Sequence, residues 1–293
     1  FFKTIYALYF RSVQTTIYDA REFEKQSGLS KADFFDKYGF VLVNAKSDMT
    51  AKGWEESDRN LNELIGAVNA NDGDKKRKEI MNDFRNADTP VKRIYAKEAE
   101  HIIKNIVLAN HKGKDNNGVT VMPPARGIRR YITKNPNKAP ARQVHNDYGL
   151  NFDDVVDRNP FFDFESQKAK YEETNSNEYM LVNLWRPIKP MSTPLRSQPL
   201  CFLDASTLSK DDFVSVDSLS LGVVTALKEN PNHKFYYYPD MTVDEVVVFK
   251  QFHKVRNETL ARMPVFHTAF ADPAADKNTE GRVSFEYRVG VLA

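Results

Sequence analysis

Apolar positions follow two different rhythms along the chain. In the first third, Phe40-Val41-Leu42-Val43 is a short continuous apolar run of the kind a buried strand makes. Leu61, Leu64, Ile65 and Val68 then recur at helical spacing behind Ser57 and Asp58, either of which suits an N-cap. Asn71-Asp72-Gly73-Asp74 breaks that helix. Ile80, Met81 and Phe84 suit a second helix. Tyr95, Ala99, Ile102, Ile103, Ile106 and Val107 suit a third, ending near His111-Lys112-Gly113. Residues 1–20 read as one or two strands.

From about residue 113 the rhythm changes. Gly, Pro and Asn become frequent and the apolar runs shorten. Val119 to Met122, Tyr179 to Trp185, Leu200 to Leu203, Phe235 to Tyr238, Glu245 to Phe249 and Arg282 to Val291 read as strands. Met122-Pro123-Pro124, Asn135-Pro136-Asn137, Asn230-Pro231-Asn232 and Pro239-Asp240 separate them with turn chemistry. Short strands so spaced predict a sandwich or barrel. The expected class is α+β, mainly β: one domain over residues 1–293, with strands and a helical layer over about 1–112 and a β core over about 113–293. Residues 165–178 are polar and helix-prone, and read as a lid or a surface helix.

Composition narrows the functional classes. Hydrophobic residues make up 41% and charged residues 28%, as in globular chains and unlike disordered ones. Aromatic residues reach 12%, with 20 Phe and 13 Tyr, which predicts an aromatic core or a lined pocket. Charge is nearly balanced, 42 Lys+Arg against 40 Asp+Glu. The longest basic run, Lys75-Lys76-Arg77-Lys78, lies among acids and reads as a solvated helix face, so no nucleic-acid partner is expected. No apolar stretch approaches the ~20 residues of a membrane span. The opening Phe1 to Phe10 lacks the charged region and cleavage site of a signal peptide, and the absent initiator Met suggests that numbering starts inside a longer gene product. A single cysteine, Cys201, excludes an internal disulfide and a cysteine-rich metal site, and points to a reducing, cytoplasmic setting. In an apolar strand it reads as an inert buried thiol. A homodimer is left open.

Chemistry concentrates at one histidine. His101, His111 and His233 read as structural or solvated. His145 sits in Val144-His145-Asn146-Asp147-Tyr148, and on an extended segment residues i and i+2 share a face. His145 and Asp147 thus offer an imidazole and a carboxylate to one point, which a divalent metal needs side by side. A third donor from another strand completes a 2-His-1-carboxylate triad with open positions. His267, followed after a turn by Arg282 and Ser284 on a strand, resembles the arrangement in iron/2-oxoglutarate oxygenases, in which the Arg fork suits the distal carboxylate of the co-substrate. Alternation also puts Glu286 and Arg288 on the face of Arg282.

In these segments the chain resembles the hydroxylase/desaturase family of fungal and bacterial secondary metabolism, which includes the gibberellin desaturase and the cephem 7α-methoxylase component. The similarity runs through Ile17 to Arg21, Tyr38 to Val43, Val144 to Tyr148, Asn183 to Ile188, Pro199 to Ser206, Tyr238 to Val246, His267 to Phe270 and Arg282 to Arg288. His253 departs from it, where an acidic residue is expected. The resemblance implies a double-stranded β-helix (a jelly roll, cupin-like) holding Fe(II) on His145, Asp147 and His267. Arg282, with help from Ser284, would anchor the co-substrate 2-oxoglutarate, and O2 would drive oxidation of a small organic substrate by hydroxylation, desaturation or ring closure. Tyr148, Trp185 and Arg186 are the candidate substrate contacts, and Arg129, Arg130, Tyr131 and Arg142 are weaker ones for an acidic substrate. A cupin-like metal-dependent isomerase or lyase, which would not need Arg282, and a catalytically silent partner barrel remain the alternatives.

Overall fold

Two sheets carry the chain. In a computed structural model, residues 14–57, 79, 82–83, 86–111, 118–124, 127–133, 139–149, 164–218, 222–258 and 262–293 are described. The expected first helix, around Leu61 to Val68, lies outside them, as do Ile80, Met81 and Phe84 of the expected second helix and residues 1–13. One sheet contains β1 (Ile17–Asp19), β5 (His145–Asn146), β7 (Leu200–Leu203), β8 (Phe213–Ser218), β9 (Gly222–Leu227), β10 (Phe235–Tyr237) and β12 (His267–Ala269). Its order is β1-β10-β7-β12-β5-β9-β8. The other contains β2 (Phe40–Asn44), β3 (Thr120–Met122), β6 (Glu178–Pro187), β11 (Glu245–Val255) and β13 (Val283–Leu292), in the order β2-β11-β6-β13-β3. β4 (Ile128–Tyr131) adds to the outer edge of β13. All pairings are antiparallel except β1 with β10. The expected mixed, mainly β architecture is what the chain adopts.

The inner faces of the sheets meet through aromatic rings. Phe202 on β7 stacks on Phe40 of β2 at 5.7 Å and touches Phe249 of β11 at 5.0 Å. Phe249 in turn lies 4.9 Å from the ring of His267. On the far side of the six-stranded sheet sits the helical layer. Trp54, on α3 (Ala51–Glu56), packs against Tyr95 and Phe285 at 5.0 and 4.6 Å, and Tyr95 against Tyr287 at 5.3 Å. Phe285 and Tyr287 of β13 therefore face the helices, while Ser284, Glu286 and Arg288 face the other sheet, as a period of two requires.

The expected third helix is α4 (Ala96–Ile102), extended by π-helical turns Val91–Tyr95 and Ile103–Val107. Two further helices fill the stretch between β1 and β2, to which the sequence pattern assigned no element. α1 (Ala20–Ser27) begins where Asp19 accepts the backbone N–H groups of Arg21 and Glu22, which ends β1 after three residues. Arg21 then forks onto Glu245 at 2.8 and 2.9 Å, fixing α1 to the start of β11. α2 (Lys31–Tyr38) is capped by Ser30 and ends at Gly39, whose φ is 81°. A Cβ on Gly39 would lie 2.6 Å from Val265 Cγ2, so both conformation and space require glycine there. α5 (Phe164–Glu173) is anchored rather than free: Gln167 accepts the Tyr179 hydroxyl at 2.9 Å, and Arg256 donates to the carbonyls of Tyr171, Thr174 and Ser176. Among the described residues no helix is long and apolar enough to cross a membrane.

If Phe202 joins the sheets, truncating it costs the burial of a whole ring and leaves a cavity. Phe202→Ala is expected to lower stability by about 3–5 kcal/mol. A shifted urea midpoint at unchanged slope is the expected observation, and a midpoint like that of the unaltered protein refutes the packing role.

Candidate metal centre

β5 and β12 are neighbours, and their register sets His145 directly opposite His267. The two rings lie 4.5 Å apart, centroid to centroid. Asp147, two residues beyond His145, returns to the same side. Ligand atoms of His145, Asp147 and His267 all lie within 4.8 Å of one another. Asp147 Oδ1 is 3.5 Å from His145 Nε2, and Oδ2 is 3.9 Å from His267 Nε2. His145 Nδ1 lies 2.6 Å from the carbonyl of Gln143. A proton on Nδ1 satisfies that carbonyl and leaves the Nε2 lone pair facing the carboxylate. Among the described residues this is the one cluster of such donors close enough to share an ion.

The opposite sheet supplies the counter-charge. Burial alone would raise the pKa of Asp147, yet it is held well below the carboxylate range, first by the Arg288 guanidinium 3.0 Å from Oδ2 and then by the two imidazoles. Burial opposes a proton on His145, but its hydrogen bond to Asp147 and the negative charge there raise its pKa on balance. Burial, then the neighbouring His145, push His267 down to about 3. Arg288 also pairs with Glu286, which takes a hydrogen bond from Asn183 at 3.1 Å and faces Arg130 at 3.5 Å. The shared face of Arg282, Glu286 and Arg288 thus resolves into a charge network reaching the metal carboxylate.

Arg282 differs from Arg288. It is 2% exposed, and burial followed by repulsion from Arg130 pushes its pKa down to about 9. Its Nε donates to Ser284 Oγ at 2.9 Å and its Nη1 to the Gln198 carbonyl at 2.8 Å, while the Trp185 ring lies 4.9 Å beneath it. Among the described residues no carboxylate lies within ion-pair distance of it. A buried guanidinium without an anion is costly, so this arrangement suits an anion that arrives from outside.

The other candidates separate. Tyr148 is buried under the Arg288 guanidinium, 5.7 Å from its ring centre. Trp185 lies on the inner face beside Arg282. Arg186 points the other way, into the helical layer, where it donates to the carbonyls of Ala45 and Val243 and lies 5.9 Å from the Tyr95 ring. His253 bonds Glu178 at 2.9 Å, away from the triad. Cys201 is buried and its thiol is pushed up to about 12 by burial, as fits an inert side chain. Sequence reasoning did not single out Gln251, whose Oε1 accepts the Asp147 N–H at 3.1 Å. It saw Arg288 and Glu286 only as members of a face.

The donor set passes the test for iron. Two imidazole nitrogens and one carboxylate converge from two strands, which is the facial triad that non-heme iron takes, and an ionised carboxylate is present without a proton to displace. The fold is that of the iron and α-ketoglutarate-dependent oxygenases. The solved endoperoxidase NvfI, so described, superposes with a TM-score of 0.58 at 19% identity, over 94% of this chain and 84% of its own. The chain belongs to the family described as "Oxidoreductase/YMDC permease-like domain", whose profile matches residues 72–292. The hydroxylase/desaturase CTB9 of Cercospora beticola is 26% identical over 55% of this chain and 50% of its own length. The α-ketoglutarate-dependent dioxygenase phiK of a fungal species is 25% identical over 74% of this chain and 75% of its own. The chain therefore spans half the length of the first of these relatives. Their names bear out the resemblance that the motifs carried.

His253 and Glu178 give a pH test of this fold. Burial lowers the pKa of His253, and the His253 hydrogen bond is the largest cause of the lowered pKa of Glu178. Both groups bind protons more weakly when folded, so their contributions are present at neutral pH and are lost as pH falls below about 6.5 and then about 4.3. The urea midpoint is expected to drop between pH 7 and 5, and to drop less in His253→Gln. Equal slopes in the two proteins refute this assignment.

Proposed function

We propose that this chain is a non-heme Fe(II)/2-oxoglutarate-dependent dioxygenase of secondary metabolism that hydroxylates, desaturates or ring-closes a small natural product. The observation that carries the reading is the convergence of His145, Asp147 and His267 together with a buried Arg282 that has no carboxylate in reach among the described residues. In this reading the facing sheets are the halves of a double-stranded β-helix in a single domain. The interleaving of β5, β7, β10 and β12 in one sheet with β6, β11 and β13 in the other supports it. The buried thiol of Cys201 fits a cytoplasmic setting.

His145, Asp147 and His267 would hold the iron. When bound, the metal supplies the redox chemistry: O2 and 2-oxoglutarate yield succinate and CO2 as a C–H bond of the substrate is oxidised. The protein's part is placement. Arg282 presents its fork to the distal carboxylate of 2-oxoglutarate, held in plane by Ser284, the Gln198 carbonyl and the Trp185 face. Ser284 Oγ accepts from Arg282 Nε at 2.9 Å and donates to the Arg130 carbonyl at 3.5 Å, which fixes the hydroxyl that steadies the guanidinium. Phe249 covers one side of His267 and Tyr148 lies beside the carboxylate, so both shield the centre from water. Tyr148 and Trp185, beside Arg288 and Arg282, would be the side chains that touch substrate. Arg186, turned to the helical layer, is given no such role.

Anaerobic iron loading is expected to give one iron per chain in the unaltered protein, and His145→Ala and Asp147→Ala should lose both iron and succinate formation. Retained iron with turnover in either variant overturns the metal assignment. Arg282→Ala should raise KM for 2-oxoglutarate by about 10–100-fold, matching the loss of about 1.5–3 kcal/mol of charged hydrogen bonding. Turnover independent of 2-oxoglutarate and indifferent to Arg282 would instead favour an isomerase or lyase.

A further inference from the structure

The pairing of β11 with β6 slips by one residue between Lys250 and Phe252. Gln251 is the extra residue, so β11 carries a β-bulge there. The backbone on its N-terminal side bonds elsewhere: Lys250 N–H donates to the Gly39 carbonyl at 2.8 Å, and the Lys250 carbonyl accepts Val265 N–H at 2.9 Å. Phe249, two residues earlier, faces His267, so alternation already turns Gln251 to the inner face, and the bulge shifts the register of the residues that follow. Here the Gln251 side chain, 1% exposed, crosses to the sheet that bears the metal donors.

Its amide touches both ligand-bearing segments. Oε1 accepts Asp147 N–H at 3.1 Å, which fixes the orientation of the amide, since an NH2 group there would face another donor. Nε2 then donates to the Val265 carbonyl at 3.2 Å, two residues before His267, and lies 3.4 Å from His267 Nδ1. Asp147 and His267 are 120 positions apart in sequence, and one side chain spans the two.

We propose that Gln251 is a positioning residue for the metal centre: its amide, on the inner face of β11, ties the Asp147 main chain to the strand carrying His267 at the separation an ion requires. This rests on the dioxygenase reading and adds to it a residue from the opposite sheet that touches neither metal nor co-substrate. Its worth is the difference between a preformed triad and one that each ion must assemble. Partners that orient metal ligands are typically worth about 10–100-fold in metal affinity.

Co(II) titration of the metal-free protein, followed by its visible absorption, tests this without turnover. Gln251→Met keeps the shape and removes the acceptor, and Gln251→Glu keeps an acceptor for Asp147 N–H. We expect Gln251→Met to bind Co(II) about 10–100-fold more weakly, with faster hydrogen exchange in the peptide holding Asp147, and Gln251→Glu to bind within about threefold of the unaltered protein or tighter. A Gln251→Met protein that binds Co(II) like the unaltered one, or a Gln251→Glu protein weakened as much as Gln251→Met, overturns the proposal and leaves the metal centre standing. Should Gln251→Met fail to fold, Gln251→Glu decides alone, a tenfold loss counting against. An unaltered protein that binds no Co(II) overturns the metal centre and this inference with it.

Discussion

An ionised carboxylate enclosed between two sheets is the demand that the rest of the structure meets. Asp147 stays charged because Arg288 reaches it from the facing sheet at 3.0 Å, and Arg288 is itself balanced by Glu286. That contact requires the sheets to stand at one spacing. Phe202, Phe40 and Phe249 fill the gap nearby and set it. Packing and electrostatics are thus a single requirement here: the aromatic wall that supplies the apolar burial also determines whether a guanidinium can reach a metal ligand.

The two buried arginines divide the labour. Arg288 lies in a network that already holds two carboxylates, so its charge is consumed inside the protein. Arg282, on the same face, holds only a hydroxyl, a carbonyl and an indole ring. Residue type does not distinguish them. The difference lies in which of them, among the described residues, has an anion in reach, and that is the support for proposing Arg282 as the co-substrate anchor.

The parts of this arrangement that were legible in the sequence obey short-range rules. His145 and Asp147 share a side because extended backbone alternates, and Asn183 and Trp185 oppose Arg186 for the same reason. Long apolar runs marked β6, β7, β11 and β13. The parts that were not legible depend on context. β5 is two residues long and exists only through its neighbours. α1 and α2 are eight residues each and owe their starts to Asp19 and Ser30, whose side chains cap only once the chain turns there. Gln251 escaped notice because it lies beyond the run Glu245 to Phe249 that marked the strand, although alternation from Phe249 turns it inward. Arg186 looked like a pocket residue by its neighbourhood in sequence and is turned away by the pleat.

The short strand β12 has a consequence for how such a chain tolerates change. Its three residues fix His267 opposite His145, and a slip of one position would send the imidazole to the outer face. The stretch that follows, through Asp272, Asp276 and Thr279, is exposed or half-buried and is closed by its own local turns. Insertions and deletions are therefore absorbed in that connection without cost to the triad. Variation in length can fall on that connection while the triad keeps its dimensions.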